Sequence, residues 1–232
     1  MVKSNIKTSD YRYERKFFVT ELSKYEIESI VKMHPAIFSE IYYKRFVNNI
    51  YFDSFNFTNL RENVEGATNR IKIRIRWYGE LFGYVEKPVL EIKIKKGLLG
   101  KKISVPLKPF SLTKKTKIPD ILKSINDLQE IIEIDFESLI PSLLNRYSRK
   151  YYQSSDNKFR ITIDSEQSFY LINKSNNSLL NHHNDNRATI LELKYNQTFD
   201  KDVNYITSKF PFRVTKSSKY VNGIQQISQM IF

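Results

Sequence analysis

The chain has 232 residues, a formal net charge of +13 at pH 7 and no cysteine. A hydrophobic fraction of 41% excludes an intrinsically disordered chain, and the lack of cysteine excludes disulfides, thiolate metal sites and cysteine nucleophiles. The positive charge favours a polyanionic partner such as nucleic acid, an acidic membrane surface or a phosphate chain.

No apolar run reaches the roughly 18 residues that a membrane helix needs, and the first residues, MVKSNIKTSDYRYERK, lack the apolar core of a signal peptide. We therefore expect a cytoplasmic protein with no membrane segment. Because no stretch near the middle has the composition of a linker, we expect a single domain over residues 1–232.

The first half of the chain is predicted to be mainly β-structure with one early helix. A strand in YRYERKFFV precedes a helix whose start is marked by a capping box of Ser23 and Glu26 and a hydrophobic staple of Leu22 and Ile27. Four more strands are predicted in the sequences FVNNIYFDS, RIKIRIRWYG, VLEIKIKKG and KKISVPL. Gly, Asn and Pro between them favour antiparallel hairpins.

The second half begins with a change of period. Aliphatic residues recur at helical spacing and predict a helical insert over about 118–145. Strands follow in RYSRKYYQ, FRITIDSEQSFYLI and ATILELKYN, and helices around DVNYITSKF and KYVNGIQQISQMI. Residues 173–187 are predicted to form an Asn-rich loop, in which we interpret His182 and His183 as loop residues and not as metal ligands. The element order indicates the α+β class.

The stretch RIKIRIRW, residues 70–77, carries a cation at every second position. Successive side chains of a strand point to opposite faces, so one face is basic and the other is apolar. Four other predicted strands share this pattern. An ordinary solvent-exposed sheet face is the alternative, but such a face usually mixes charges with Ser, Thr and Gln, since opposed like charges are destabilising.

We therefore expect an eight-stranded antiparallel closed β-barrel with helices packed outside. Cations that line its lumen need an anion to compensate them, and Arg and Lys from many directions suit a triphosphate or a longer phosphate chain. The carboxylates of the same faces either neutralise neighbouring cations or hold a divalent metal; they are Glu14, Glu91, Asp164 and Glu192. No P-loop, GxGxxG, HExxH or Ser-His-Asp pattern is present.

In sequence, the chain resembles the VTC domain, the polyphosphate polymerase branch of the triphosphate tunnel metalloenzymes and a relative of the CYTH proteins. The matching pieces occur in order from residue 11 to about 224 and include RYERKFFV, IYFDSFNFTNLRENVEGATNRIKIRIRWYG, VLEIKIKKG, RYSRKYY, FRITIDSEQSFY, ILELKY and SKYVNGI. The resemblance implies a triphosphate tunnel that binds ATP and polyphosphate or triphosphate, with Mn²⁺ or Mg²⁺ as cofactor.

Carried over by position, the resemblance implies phosphate-binding roles for Lys16, Arg74, Arg76, Lys93, Arg149, Arg160 and Lys219, and a metal-binding role for Glu192. Among these we assign Lys16, Lys93 and Lys219 to catalysis, where they would offset charge on donor and acceptor. Further tunnel-lining residues are Lys102 and Lys194, and Glu14 is the second candidate metal ligand. Tyr220 is expected to pack the terminal helix against the tunnel.

The first strand departs from the family's hydrolytic members, which carry Glu-x-Glu-x-Lys where this chain has RYERK, residues 12–16. One expected metal ligand is thus absent, which favours a polymerase that adds the terminal phosphoryl group of ATP to a growing chain. The alternatives are a triphosphatase that uses water as the acceptor, and a non-catalytic polyphosphate-binding module. We do not expect nucleic acid as the partner, because the strand aromatics are predicted mostly on the faces opposite the cations.

Overall fold

The structure is a computed structural model that describes residues 7–9, 12–96, 99–113, 115–123, 134–172 and 182–231. The strands within these ranges are β1 Lys7–Ser9, β2 Arg12–Val19, β3 Ser39–Asp53, β4 Asn69–Tyr78, β5 Gly83–Val85, β6 Val89–Lys96, β7 Leu99–Pro106, β8 Phe110–Leu112, β9 Ile140–Gln153, β10 Phe159–Tyr170, β11 His182–Asp185 and β12 Thr189–Asn196. The helices are α1 Lys24–Lys32, α2 Thr58–Glu65, α3 Ile118–Lys123, α4 Val203–Thr207 and α5 Lys219–Ile231, with a short 3₁₀ turn at Gln197–Phe199. None of these helices is both long enough and apolar enough to span a bilayer.

Ten strands form one antiparallel sheet, which confirms the predicted α+β class. Its order is β1-β7-β6-β4-β3-β9-β10-β12-β2, and β11 adds to β10 beside this path. Strands β5 and β8 make a separate two-stranded ribbon. The hairpin of β6 and β7 pairs residues 96 and 99, so the predicted hairpin lies where the sequence placed it.

The sheet is strongly curled, but it is not closed by hydrogen bonds in the described part of the chain. Strands β6 and β2 are six steps apart in the sheet order, which in a flat sheet would be about 29 Å. Even so, Lys93 Nζ on β6 lies 3.1 Å from Glu14 Oε2 on β2. The edge strands β1 and β2 do not pair with each other, so the prediction of a closed eight-stranded barrel was wrong in strand number and in closure.

Two apolar clusters cover the convex face of the sheet. One lies behind β4, β6 and β7, around Ile73, Ile75, Trp77, Leu90 and Ile92, and α3 contributes Ile118. The other lies behind β10, β12 and β2, where α1 and α4 pack; it includes Phe17, Ile27, Val31, Ile161, Leu193, Val203 and Ile206. Burial of this apolar surface supplies the main stabilisation of the sheet. It also fixes the apolar face of each strand on the convex side and the basic face on the concave side.

Helix α5 packs on the opposite, concave face, whereas the sequence predicted helices packed outside, where α1, α3 and α4 lie. Tyr51 is paired with Arg74 in the sheet register and therefore shares its face. The Tyr220 ring of α5 stacks on Tyr51 at 5.1 Å between centroids, and its hydroxyl donates to Asp53 Oδ2 at 2.7 Å. Tyr220 thus packs the terminal helix as expected, within a third cluster made of Tyr51, Leu143, Phe169, Tyr220 and Ile227.

The predicted capping box of α1 is confirmed, whereas α2 carries no comparable signal. Ser23 Oγ accepts from the Glu26 amide at 3.3 Å and Glu26 Oε2 accepts from the Ser23 amide at 2.8 Å. The start of α2 is instead capped from the end of β3, where the Asp53 carboxylate accepts from the amides of Asn59 and Leu60 at 2.9 Å each. Such a cap lies outside the usual sequence spacing, so the sequence did not predict α2.

The predicted helical insert over about 118–145 was wrong in its second part. Helix α3 ends at Lys123, residues 124–133 lie outside the described residues, and the strand β9 begins at Ile140. Leu143 packs under α5 and Leu144 lies in the convex cluster. Because both faces of β9 are covered, its apolar residues do not alternate and imitate a helical period.

The predicted Asn-rich loop was also wrong at its end, because His182–Asp185 forms β11. His182 stacks on Tyr170 with 5.5 Å between ring centroids, and residues 173–181 of the predicted loop lie outside the described residues.

We predict that Gly223→Val lowers the free energy of unfolding by about 1–3 kcal/mol, the usual cost of overpacking. A Cβ at this position of α5 would lie 2.5 Å from Phe169 Cδ1 and 2.6 Å from Leu143 Cδ2. Urea unfolding measures the change, with Gln225→Val at an exposed position of α5 as the matched control. Equal stability of the two variants would show that α5 does not pack this closely on the sheet.

Candidate anion-binding site

The concave face of the sheet gathers the basic side chains of β4 with those of its neighbours. The register places Arg74 beside Glu91, Lys72 beside Lys93 and Arg70 beside Lys95. Strand β2 lies at the far edge of the sheet, but the curl of the sheet brings Glu14 against Lys93. We call this surface the cationic face.

Glu91 is the centre of the first cluster of charges. Its Oε2 is 2.6 Å from Arg74 Nη2 and 3.4 Å from Arg76 Nη1, and its Oε1 is 2.5 Å from Lys102 Nζ. Burial opposes the charged form of Glu91, but these three cations outweigh burial and hold its pKa well below the usual range. Glu91 is therefore ionised at neutral pH and holds three basic side chains together.

Asp164 organises a second cluster in the same way. Arg149 donates from Nε at 2.5 Å and from Nη2 at 2.6 Å to its two oxygens, and Lys219 Nζ lies 2.6 Å from Oδ2. Burial again opposes ionisation, yet Arg149 and Lys219 lower the pKa of Asp164 to about 2. Lys219 is the first residue of α5, so this ion pair ties the terminal helix to β10.

Glu192 and Glu14 form the third group of carboxylates. Lys16 Nζ is 3.3 Å from Glu192 Oε1 and Lys194 Nζ is 2.9 Å from Oε2. Burial opposes the charge of Glu192, but Lys194 and Lys16 hold its pKa well below the usual range. Glu14 contacts Lys93 and is close enough to Glu192 for mutual repulsion to act on its pKa.

These carboxylates offer a limited metal site. No group of three His, Cys, Asp or Glu side chains that could hold a metal occurs in the described ranges. Glu192 and Glu14 supply hard oxygen donors, which fits a Mg²⁺-like ion that takes one or two carboxylates and completes its shell with phosphate and water.

Some tyrosines lie among the cations, although the strand aromatics were predicted mostly on the opposite faces. Arg74 Nη1 donates to the Tyr51 hydroxyl and Arg76 Nη2 to the Tyr147 hydroxyl, each at 3.2 Å. Lys219 Nζ lies 4.6 Å from the centroid of the Tyr147 ring. These rings orient the guanidinium groups and keep water from their flanks.

A segment before α5 runs along the free edge of β2. The Thr215 amide donates to the Lys16 carbonyl at 2.7 Å, and the Phe18 amide donates to Thr215 Oγ1 at 2.9 Å. Lys16 Nζ donates to the Ser217 carbonyl at 3.2 Å. This extended segment covers the edge of the sheet and delivers Lys219 to Asp164.

The structure brings together ten of the eleven site residues predicted from sequence, namely Lys16, Arg74, Arg76, Lys93, Lys102, Arg149, Lys194, Lys219, Glu14 and Glu192. Arg160 is exposed beside Lys194 in the register and has no ion-pair partner in the described part of the chain. The sequence analysis did not include Lys72, Tyr51 or Tyr147 among the site residues. Alternation placed Lys72 correctly, but no signal identified the two tyrosines.

We predict that acid weakens the contribution of Asp164 to stability. Its pKa is lowered from 3.8 to about 2, so the contribution is complete above pH 4 and is lost as the pH falls towards 2. The lowered pKa corresponds to about 2 kcal/mol. Urea unfolding of the wild type and of Asp164→Asn should therefore give free energies that converge as the pH falls from 4 to 2; parallel curves would contradict the prediction.

The comparisons with known proteins agree with this architecture. Two solved structures share the fold with a TM-score of 0.51 each. One, from Bacillus halodurans, is provisionally described as an adenylate cyclase; it is 14% identical, and the match covers 96% of this chain and 98% of that chain. The other, from Vibrio parahaemolyticus, has the same provisional description, with 10% identity and coverage of 95% and 99%. A search of curated proteins gave no match.

The model of the VTC domain matches residues 11–228, which is nearly the whole sequence. The matched region contains every strand of the cationic face and almost all of α5. The chain therefore belongs to the VTC domain family.

Proposed function

We propose that the protein is a polyphosphate polymerase that transfers the terminal phosphoryl group of ATP to a growing phosphate chain. The observation that carries the proposal is the concave face itself, on which cations outnumber carboxylates and are held in place by them. The uncompensated positive charge of this face attracts a linear polyanion. Its Arg side chains can each donate two parallel hydrogen bonds to phosphate oxygens.

The carboxylate clusters prepare the cations for phosphate. Arg74 and Arg76 share Glu91 and are oriented by Tyr51 and Tyr147. Arg149 is fixed on Asp164 by two short hydrogen bonds. Since phosphoryl transfer depends mostly on positioning and on charge stabilisation, no protein nucleophile is required.

Within this proposal Arg74, Arg76 and Arg149 bind the triphosphate, and the more exposed Arg160, Lys102 and Lys194 extend the phosphate contacts. Lys16, Lys93 and Lys219 offset negative charge on the donor ATP and on the acceptor chain. They do so while the bond from the terminal phosphoryl group to ADP breaks and its bond to the chain forms. Glu192, with Glu14 beside it, would hold Mn²⁺ or Mg²⁺, and the metal would neutralise charge on the transferred phosphoryl group.

The partners of the carboxylates bear on the identity of the phosphoryl acceptor. A hydrolase needs a group that orients water. In the described ranges, however, each of the four carboxylates discussed above is held by at least one Lys or Arg. This arrangement favours a phosphate chain, which enters the cationic face by charge alone, over water as the acceptor.

We predict that the purified protein, incubated with ATP and Mn²⁺ or Mg²⁺, makes long phosphate chains and a matching amount of ADP. Arg74→Ala should lower the rate by about two orders of magnitude or more, as loss of a preorganised charge contact does. Glu91 keeps Arg76 and Lys102 in this variant, so the fold should persist. Gels stained for polyphosphate and an assay of free phosphate measure the products.

Arg146→Ala is the matched control, because Arg146 lies on β9 with its guanidinium 4.0 Å from the Phe46 ring on the convex side. Release of free phosphate without formation of phosphate chains would contradict the polymerase activity and indicate a triphosphatase. Binding of polyphosphate without turnover would indicate a non-catalytic module.

We also predict that Glu192→Gln strongly lowers the metal-dependent rate but leaves polyphosphate binding equal or tighter, because the substitution removes a negative charge from the cationic face. Titration of the rate with Mn²⁺ and a separate binding assay measure the two effects. Glu28→Gln is the matched control, since Glu28 pairs with Lys150 at 2.7 Å on the convex side. An unchanged metal dependence would remove Glu192 from the proposed metal site.

A further inference from the structure

Lys72 differs from the other lysines at the centre of the cationic face. Lys16, Lys102 and Lys219 each lie within 3.3 Å of a carboxylate oxygen. Lys72 is only partly exposed, and its Nζ donates to the Ser218 hydroxyl at 3.1 Å. It has no carboxylate partner among the described residues.

Cations surround Lys72 on its own strand and on its neighbours. Arg70 and Arg74 flank it on β4, and Lys93 is its register partner on β6. Lys16 adds positive potential from β2. Three acidic residues of the same face already have other partners. Glu14 pairs with Lys93, and Glu192 pairs with Lys16 and Lys194. Asp53, which follows the register pair of Phe52 and Ile73, accepts from the Tyr220 hydroxyl and from the amides of Asn59 and Leu60.

This positive patch continues along the sheet away from Glu91. Arg70 is paired with Lys95 in the register; Arg70 Nη1 donates to the Ala67 carbonyl at 3.4 Å, and no carboxylate holds either side chain in the described ranges. Burial, followed by Arg70, Lys93 and Lys216, lowers the pKa of Lys95. The cationic face is thus balanced at the Glu91 end of β4 and unbalanced at the Arg70 end.

An uncompensated group of cations costs folding free energy unless an anion joins it. Successive inward side chains of a strand are about 6.6 Å apart, so Lys72 and Arg70 continue the row that Arg76 and Arg74 begin. We propose that Lys72, with Arg70 and Lys95 beside it, is a further phosphate-binding subsite that receives the phosphate chain next to the group bound at Arg74. This inference rests on the proposed function.

The protonation state of Lys72 gives the subsite a measurable property. Burial, together with Lys16, Lys93, Arg70 and Arg74, lowers the pKa of Lys72 to about 7. In the free protein at pH 8 the amine is therefore mostly neutral. A bound phosphate group favours the charged form and raises the pKa again, so binding should take up close to one proton at pH 8, and affinity should weaken as the pH rises above 7.

Calorimetric titration with short-chain polyphosphate at pH 8, in two buffers of different ionisation enthalpy, measures affinity and proton uptake together without turnover. We expect Lys72→Met to bind about 10- to 100-fold more weakly, as for a lost charge-assisted hydrogen bond, and to lose the uptake of about one proton. Lys72→Arg should bind about as tightly as the wild type but without that proton uptake, since Arg is always charged. Lys87→Met, which removes an exposed lysine between β5 and β6, is the matched control for net charge.

Wild-type affinity and proton uptake in Lys72→Met would overturn the subsite while leaving the proposed function intact. Proton uptake in Lys72→Arg equal to that of the wild type would also overturn it, and this variant keeps the test valid if Lys72→Met folds poorly. If the wild type does not bind polyphosphate, the proposed function fails and the subsite fails with it.

Discussion

The structure depends on the compensation of positive charge on the concave face of one sheet. Basic side chains from six or more strands cannot be brought together in a partly buried space without anions between them. Glu91, Asp164 and Glu192 meet this constraint, since each is shared by two or more cations and each has its pKa held low. The compensation is incomplete, and the excess charge that remains is the basis of a site for a polyanion.

Apolar contacts decide where this charge lies. The two convex clusters bury the aliphatic faces of the strands, which leaves the basic faces no alternative but the concave side. The third cluster is on that concave side, where Tyr220 and Ile227 of α5 pack against Leu143 and Phe169. This packing fixes the start of α5, so that Lys219 reaches Asp164 and Ser218 reaches Lys72. Helix α5 thus fills part of the concave face, and the remainder of that face is cationic.

Hydrogen bonding of the sheet edges completes the arrangement. The segment before α5 bonds to the free edge of β2, which an open sheet would otherwise expose to pairing with other chains. The same segment presents the Ser217 carbonyl to Lys16. Protection of the edge and placement of a basic side chain are therefore carried out by the same few residues.

The sequence by itself determined the α+β class, the basic and apolar faces of β4 and its neighbours, the capping of α1 and most of the residues that meet on the cationic face. These features depend on the two-residue period of a strand and on contacts between near neighbours. It did not determine the helical or strand character of residues 140–145, because a strand buried on both faces has no alternation. Nor did it show the phase of β10, in which a β-bulge between Ser165 and Ser168 inserts one extra residue and turns Asp164 and Phe169 to the same face. That bulge, the position of α5 and the pairing of each cation with its carboxylate were decided by the tertiary structure, since they depend on contacts between residues far apart in the chain that no local pattern records.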